Sequence, residues 1–204
     1  ADPNAEPGDF RYADLDGDGV LTDDDRKHLG SYAPEFEYGF TFNATYKNFD
    51  INMMFNGVYG NEIYNVQRRD NLLNLTSNMT REALNYWRPD NTDTGIPRIG
   101  GGADNARPSS FYIESGAYFR LRNLQIGYSI PLAEKIKVRK LRVYGSVQNL
   151  FTISNFSGYY PEIGRSQDNE MADVENTNTL FYAGVNQSAY PTPRTIILGL
   201  QIGF

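Results

Sequence analysis

The strongest constraint on the fold is an alternation of apolar and polar residues that recurs in five separate runs. In the run 36 to 46, every second residue from Phe36 to Tyr46 is apolar or aromatic, and the residues between them are polar or glycine. Successive side chains of a β-strand point to opposite faces, so this pattern predicts a strand with one apolar and one polar face. We predict an all-β chain with strands at about 36 to 46, 49 to 59, 118 to 130, 141 to 153 and 194 to 204.

The lengths of the runs and of their connections indicate which kind of sheet this is. Soluble strands usually have five or six residues, whereas these runs are long enough to cross a bilayer at a tilt. The connections alternate between short (47 to 48 and 131 to 140) and long (60 to 116 and 154 to 193). Outer-membrane barrels have short periplasmic turns and long extracellular loops. We therefore predict strands of a transmembrane antiparallel β-barrel, with residues 1 to 35 and both long loops extracellular. A secreted β-sandwich with one core face and one solvated face is the alternative.

Composition excludes several function classes. The chain has no cysteine, so it contains no disulfide, thiolate nucleophile or zinc-thiolate site. Its single histidine, His28, excludes a histidine-rich metal site. The net charge of -6 disfavours general nucleic-acid binding. No apolar run approaches the roughly 20 residues of a spanning helix.

Residues 1 to 35 form an acidic head, with ten acids and three bases, and contain an EF-hand-like calcium loop at 14 to 25. Gly19 takes the sixth position, where the loop turns sharply. The predicted oxygen ligands are the side chains of Asp14, Asp16, Asp18, Thr22 and Asp25 and the carbonyl of Val20. We expect one structural calcium ion, because calcium sensors use paired loops. The shorter Asp25 stands where Glu is usual, which weakens the expected bidentate contact, and a solvated acidic turn is the alternative.

The last strand ends in Gly199-Leu-Gln-Ile-Gly-Phe204. A terminal phenylalanine after alternating apolar residues is typical of the signal by which barrels are recognised for assembly. We predict that Gly199, Ile202 and Phe204 carry this signal and that the barrel assembly machinery is a partner.

Six blocks distributed over nearly the whole chain are distinctive. They are Pro7-Gly-Asp-Phe-Arg-Tyr-Ala-Asp-Leu-Asp-Gly-Asp-Gly19, Phe55-Asn-Gly-Val-Tyr-Gly-Asn-Glu-Ile-Tyr64, Tyr118-Phe-Arg-Leu-Arg-Asn-Leu-Gln-Ile-Gly-Tyr128, Val147-Gln-Asn-Leu-Phe151, Gly158-Tyr-Tyr-Pro-Glu162 and Tyr190-Pro-Thr-Pro-Arg-Thr195. Together they closely resemble the C-terminal end of SusC/RagA-type TonB-dependent outer-membrane transporters of Bacteroidetes.

This resemblance implies a fold and a function. It implies a 22-stranded barrel with a plug, of which this chain is the last quarter, paired with the remainder of the transporter and surrounded by outer-membrane lipid. Such transporters import oligosaccharides or peptides together with a SusD-like surface lipoprotein, and the TonB complex pulls on the plug. No chemistry on the substrate is implied, so we do not expect an enzyme.

Several side chains in the long loops are candidates for substrate contact. Four aromatic residues suit stacking on a sugar ring, although packing between loops is the plainer interpretation: Trp87, Tyr112, Tyr159 and Tyr160. Arg120 and Arg122 either meet an acidic ligand or are solvated or paired on the face of the sheet toward the lumen. A short helical segment is expected around 80 to 87.

Three alternatives remain at this stage. One is a secreted, calcium-stabilised, carbohydrate-binding β-sandwich. Another is an enzyme that uses Glu114 and Glu162 as paired carboxylates. The third is a self-contained small barrel or porin, which in bacteria would need an even number of strands.

Overall fold

The fold is built on the five long strands that the alternation predicts. The computed structural model describes residues 5 to 73, 78 to 100, 104 to 132, 138 to 162, 184 to 186 and 190 to 204. In chain order its strands and helix are β1 (Phe36–Tyr46), β2 (Phe49–Tyr59), β3 (Glu62–Asn65), α1 (Val66–Leu73), β4 (Ile113–Ser115), β5 (Tyr118–Ile130), β6 (Lys140–Ser154), β7 (Val185–Asn186) and β8 (Thr195–Gly203). β1, β2 and β5 agree with the predicted bounds, and β6 and β8 differ from them by one residue at each end.

The long strands form one antiparallel sheet in the order β1-β2-β5-β6-β8. A two-residue turn joins β1 to β2, and Tyr46 pairs with Phe49 across it. The short connections lie at one end of the strands, which we call the turn end. The links 60 to 116 and 154 to 193 leave the sheet at the opposite end of the strands, which we call the loop end. The topology is a meander, because long strands that follow one another in the chain are also neighbours in the sheet.

Strand register brings the apolar residues of all five strands to one face, which we call the outer face. In one row across the sheet, Ala44 pairs with Ile51, Ile51 with Ile126, and Ile126 with Gly145. Large apolar side chains on this face are exposed: Phe40 is 52% exposed, Ile126 49% and Leu198 84%. No described element of the chain covers the outer face. The polar residues lie on the opposite, inner face.

Bulges explain where the alternation fails. Arg122 has no partner in β2 or in β6, because the register shifts between Leu121 and Asn123. In β6, Asn149 and Leu150 have no partner in β5, and Asn149 has a positive φ of 52°, which is typical of a bulge. Tyr144 is an aromatic residue on the inner face, where its ring occupies the space that a side chain at Gly199 would need. The sequence pattern therefore breaks at residues with an identifiable local geometry.

Most of the buried apolar side chains lie at the loop end and not in the sheet. A second sheet, in the order β4-β3-β7, packs there with α1. Five fully or nearly buried residues belong to this region: Ile63, Leu72, Ala83, Tyr112 and Phe156. Among the described residues, no helix is both long and apolar enough to cross a membrane.

The short helical segment predicted around 80 to 87 is present as a 3-10 helix, Arg81–Asn85. The α-helix α1, which lies earlier in the chain, was not predicted. The Asn65 side chain accepts a hydrogen bond from the amide of Arg68 (2.9 Å), which caps the start of α1. Only Leu72 of α1 is buried, so the helix has too narrow an apolar stripe for a periodicity search to find it.

The β-sandwich alternative finds no support in this architecture. A sandwich requires a second sheet packed against the apolar face of the first. Among the described residues, the other sheet has strands of only four, three and two residues. It lies at the loop end, and the outer face stays exposed.

The two faces of the sheet predict opposite responses to a new charge. In the full-length protein we expect Ile126→Arg, on the outer face, to destabilise the folded barrel by about 2–4 kcal/mol, the cost of a basic side chain on a lipid face near the bilayer midplane. Gln125→Arg is the matched control on the inner face and is expected to be tolerated. The measurement is the yield of heat-modifiable, folded barrel in the outer-membrane fraction. Equal yields for the two variants would contradict the assignment of faces.

Candidate functional site

The inner face carries a chain of hydrogen bonds that crosses four strands. Asn52 donates to Asn43, Asn123 donates to Asn52 (3.5 Å), and Ser146 donates to Asn123 (3.0 Å). These side chains are neutral and combine donors with acceptors, which suits a surface in contact with water. The inner face therefore has the chemistry of a wall that lines a water-filled lumen.

An ion pair crosses the inner face near the turn end. Arg142 of β6 reaches over β5 to Asp50 of β2, with Nε–Oδ1 and Nη2–Oδ2 distances of 2.9 and 2.5 Å. The strand between them contributes Gly127, and a side chain there would collide with both groups. The glycine thus allows two charges on non-adjacent strands to form a bidentate pair.

A second charged cluster lies on the inner face near the loop end and centres on Arg120. Its guanidinium donates to Thr152 Oγ1 (2.9 Å), to the hydroxyl of Tyr160 and to Glu162 Oε2 (2.6 Å). The guanidinium also lies over two aromatic rings, 4.8 Å from the centroid of Tyr118 and 4.4 Å from that of Tyr160. Arg120 is only 2% exposed, so the expectation of a paired wall residue is correct for it. Arg122 is exposed.

The four aromatic candidates have different environments. Tyr112 is fully buried and its hydroxyl donates to the carbonyl of Asn105 (2.7 Å), so its proposal as a substrate contact was wrong in this structure. The Trp87 ring is half-buried against Gly8. Tyr160 is half-buried on Arg120, which leaves Tyr159, 69% exposed, as the accessible aromatic of the four.

Glu114 and Glu162, the carboxylates of the enzyme alternative, each have structural partners. Glu114 accepts hydrogen bonds from Asn65 Nδ2 (3.0 Å) and from the amide and hydroxyl of Ser157 (both 2.7 Å). Glu162 is held by Arg120 and by the hydroxyl of Tyr160 (2.6 Å). Hydrogen bonds from Tyr160 and Arg120 outweigh the opposing effect of burial and lower the pKa of Glu162. A carboxylate held ionised in this way is a poor general acid.

The acidic loop brings three of its predicted ligands together. One carboxylate oxygen from each of Asp14, Asp16 and Asp18 lies within 4.8 Å of the others. Asp14 accepts hydrogen bonds from the amides of Gly17 (2.7 Å) and Gly19 (2.9 Å), which folds the chain tightly around its carboxylate. The turn at Gly19 has φ = 84°, a conformation that favours glycine.

The remaining predicted ligands close the acidic loop. Asp25 accepts hydrogen bonds from the amides of Leu15 (2.6 Å) and Thr22 (2.8 Å), which lowers its pKa. Thr22 caps the 3-10 helix Asp23–Asp25 and forms a capping box with Asp25. Val20 is exposed. Val20, Thr22 and Asp25 thus lie in the loop, but the Asp25 carboxylate is not grouped with those of Asp14, Asp16 and Asp18.

The start of the described chain is tied to the link between β2 and β5, a contact that sequence reasoning missed. Arg98 forms a bidentate ion pair with Asp9, with Nε–Oδ1 and Nη2–Oδ2 distances of 2.6 and 3.0 Å. Asn105 donates to Asp9 (2.9 Å) and accepts from the amide of Phe10 (2.8 Å). The partners are about 90 residues apart in the sequence, so no local motif predicts these contacts. The Arg98 guanidinium, as the main cause, holds the pKa of Asp9 below its ordinary value of 3.8.

The residues of the predicted assembly signal lie in β8 and just beyond it. Ile202 pairs with Leu141 and continues the outer face, whereas Gly199 pairs with Tyr144 on the inner face. Phe204 follows the strand and is 83% exposed. This geometry agrees with the alternation from which the signal was predicted, and the signal itself stays a prediction.

The long strands form a single-layer wall with an apolar outer face and a polar inner face, as in the wall of an outer-membrane barrel. The chain is 37% identical over 206 residues to TonB-dependent receptor P3 of Formosa agariphila. It is 26% identical over 206 residues to TonB-dependent receptor SusC of Bacteroides thetaiotaomicron. These alignments include 98% and 100% of the chain but 19% and 18% of the relatives. The chain thus spans about a fifth of the length of the relatives it matches. No protein-family model matches the chain.

Solved structures agree with this relationship. The RagAB peptide transporter matches with a TM-score of 0.68 and 24% identity over 86% of this chain and 18% of that chain. The RagAB peptide importer in its closed-closed state matches with a TM-score of 0.67 and 25% identity. The resemblance to SusC/RagA-type TonB-dependent transporters is confirmed, and the sheet is a section of such a barrel. The relatives are receptors and transporters, not enzymes, so the enzyme alternative finds no support.

The Asp9–Arg98 pair predicts an acid-sensitive attachment of the chain start. Because the folded state lowers the pKa of Asp9, the pair stabilises the attachment fully above pH 3.8 and loses this contribution as the pH falls through the lower, folded-state value. We expect Asp9→Asn in the full-length protein to expose residues 5 to 35 to protease at neutral pH. Asp90→Asn, which removes the partner of the surface residue Arg88, is the control.

The same attachment is then followed in acid. Cleavage of the wild-type segment by pepsin, relative to cleavage of Asp9→Asn at the same pH, is expected to increase as the pH falls below about 4. An identical pH dependence of cleavage in wild type and Asp9→Asn would contradict this role.

Proposed function

We propose that this chain is part of a TonB-dependent importer that takes up oligosaccharides or peptides across the bacterial outer membrane. The observation that carries the proposal is the two-faced sheet: register across five strands collects apolar side chains on one face and neutral hydrogen-bonding groups on the other. A barrel wall between lipid and water requires this arrangement. The relationship to SusC and to the RagAB peptide transporter supports an import function.

The partners follow from the same proposal. The edges of the sheet, β1 and β8, each have one long-strand neighbour among the described residues, and backbone groups in lipid must be paired. We therefore assign the remainder of the transporter as the partner of both edges. A SusD-like lipoprotein covers the loop end from outside the cell, the TonB complex acts through the plug, and the assembly machinery recognises β8.

The proposal is tested by purification of the intact complex from its native membrane. Mass spectrometry is expected to find this sequence within a barrel protein about five times its length, together with a lipoprotein. A strain lacking the gene is expected to lose uptake of either glycan oligomers or a tryptic digest of casein, and the lost mixture identifies the substrate class. Recovery of the 204 residues alone in the soluble fraction would refute the proposal.

Calcium binding by the loop 14 to 25 is a separate part of the proposal. Three converging carboxylates repel one another unless a cation neutralises them, and calcium prefers six to eight oxygen ligands of this kind. Asp14, Asp16 and Asp18 would supply side-chain oxygens, and Val20, Thr22 and Asp25 lie in the same loop. The ion would stabilise the loop and would take no part in transport chemistry.

The calcium proposal predicts protection against protease. We expect Asp14→Ala to make residues 1 to 35 protease-sensitive in the full-length protein, and a chelator to do the same to the wild type. Asp14→Asn removes the charge but keeps one side-chain oxygen as an acceptor for the Gly17 or the Gly19 amide, so it is expected to be milder than Asp14→Ala without calcium, and Asp24→Ala controls for net charge. Titration is expected to give a dissociation constant of roughly 0.1–1 mM, as in extracellular calcium modules. Unchanged digestion with and without chelator would exclude a structural ion.

A further inference from the structure

The segment 156 to 162, which follows β6 at the loop end, has no helix or strand of its own. We call it the rim segment. Its order therefore depends on side chains that attach it to the rest of the protein. Phe156 is 8% exposed and forms the start of the attachment.

Two polar anchors hold the rim segment at different points. At one point, the amide and hydroxyl of Ser157 donate to Glu114, just before β5. At the other, Tyr160 and Glu162 bind Arg120 on the inner face of β5. Tyr159 lies between the two anchors and is exposed. The anchors thus fix the backbone on both sides of an aromatic ring that faces solvent.

The burial and the partners of Arg120 suit a side chain that holds the rim segment in place. A buried charge is costly unless it is paired and hydrogen-bonded, and Arg120 gains an anion from the rim segment and a hydroxyl from β6. Its planar guanidinium also lies over the rings of Tyr118 and Tyr160, which the ammonium of a lysine does not reproduce. Arg120 therefore connects the inner face of the sheet to the rim segment.

The rim segment also forms one wall of a cavity of about 230 Å³. Its lining includes Arg120, Asn149, Thr152, Tyr159, Tyr160 and Thr192. The lining combines hydroxyl groups with aromatic rings. Its residues belong to β5, β6, the rim segment and the stretch before β8. The shape of the cavity depends on where Arg120 holds Tyr160.

We propose that Arg120 is a positioning residue, which fixes the rim segment so that Tyr159 and the cavity present one defined surface for substrate capture. This inference rests on the import function proposed above. Arg120 does not itself have to contact the substrate, because its charge is already paired with Glu162. It acts through the segment that it holds.

The first test follows hydrogen exchange in the full-length transporter in detergent. Arg120→Met is expected to speed amide exchange in residues 156 to 162 by about tenfold or more, since hydrogen bonds to a charged group are lost there. Exchange in β1 and β2 and the heat-modifiable fold are expected to stay unchanged. Arg120→Lys retains the charge but not the stacked, planar group and is expected to rescue exchange only in part. Arg122→Met, an exposed arginine two residues away, is the matched control.

The second test measures uptake by cells of fluorescently labelled casein peptides and of labelled glycan oligomers. For whichever mixture the wild type imports, Arg120→Met is expected to raise the half-saturating concentration several-fold with little change in maximal rate per folded transporter. A fall in maximal rate alone, or unchanged exchange in the rim segment, would overturn the positioning role. Import of neither mixture by the wild type would count against the proposed function, while the exchange result would still decide whether Arg120 holds the segment.

Discussion

The structure depends on strand register. Side chains alternate with a period of two, so a slip of one residue in any pair of strands would move a whole apolar set to the polar face. In all five strands the apolar residues stay on the outer face. Where the pairing of β5 and β6 is irregular, bulges at Arg122 and Asn149 contain the extra residues. The bulges let the strands change spacing without exchanging outer and inner faces.

A consequence is that, among the described residues, the five-stranded sheet has no conventional core of its own. A soluble sheet buries its apolar face against another layer, but here residues such as Phe40 and Leu198 remain exposed and most of the burial lies at the loop end. The stability of the sheet must therefore come from backbone pairing and from what surrounds the outer face. The loop end, in contrast, is packed like a small soluble domain, with Tyr112 and Ile63 at its centre.

This division decides what could be predicted from sequence. The strands were predictable almost to the residue because each is long and its alternation is enforced by two different environments. Contacts at the loop end were not, because Asp9 meets Arg98 and Arg120 meets Glu162 across long stretches of chain with no local pattern. Tyr112 shows the resulting error: an aromatic residue in a polar loop looked accessible, and its burial follows from tertiary packing that the sequence does not display. The acidic loop is the opposite case, since its spacing alone brought Asp14, Asp16 and Asp18 together.

The charges on the inner face of the described strands lie toward its two ends. Near the turn end, Asp50 is paired with Arg142, and near the loop end Arg120 is paired with Glu162. Between them runs the neutral chain from Asn43 to Ser146. Paired charges have little long-range field, and amides accept and donate hydrogen bonds with equal ease. The described strands thus present neutral hydrogen-bonding groups along the middle of the inner face and charged groups toward its two ends. The exposed Tyr159 and the cavity beside it lie at the loop end, where Arg120 connects the rim segment to the inner face.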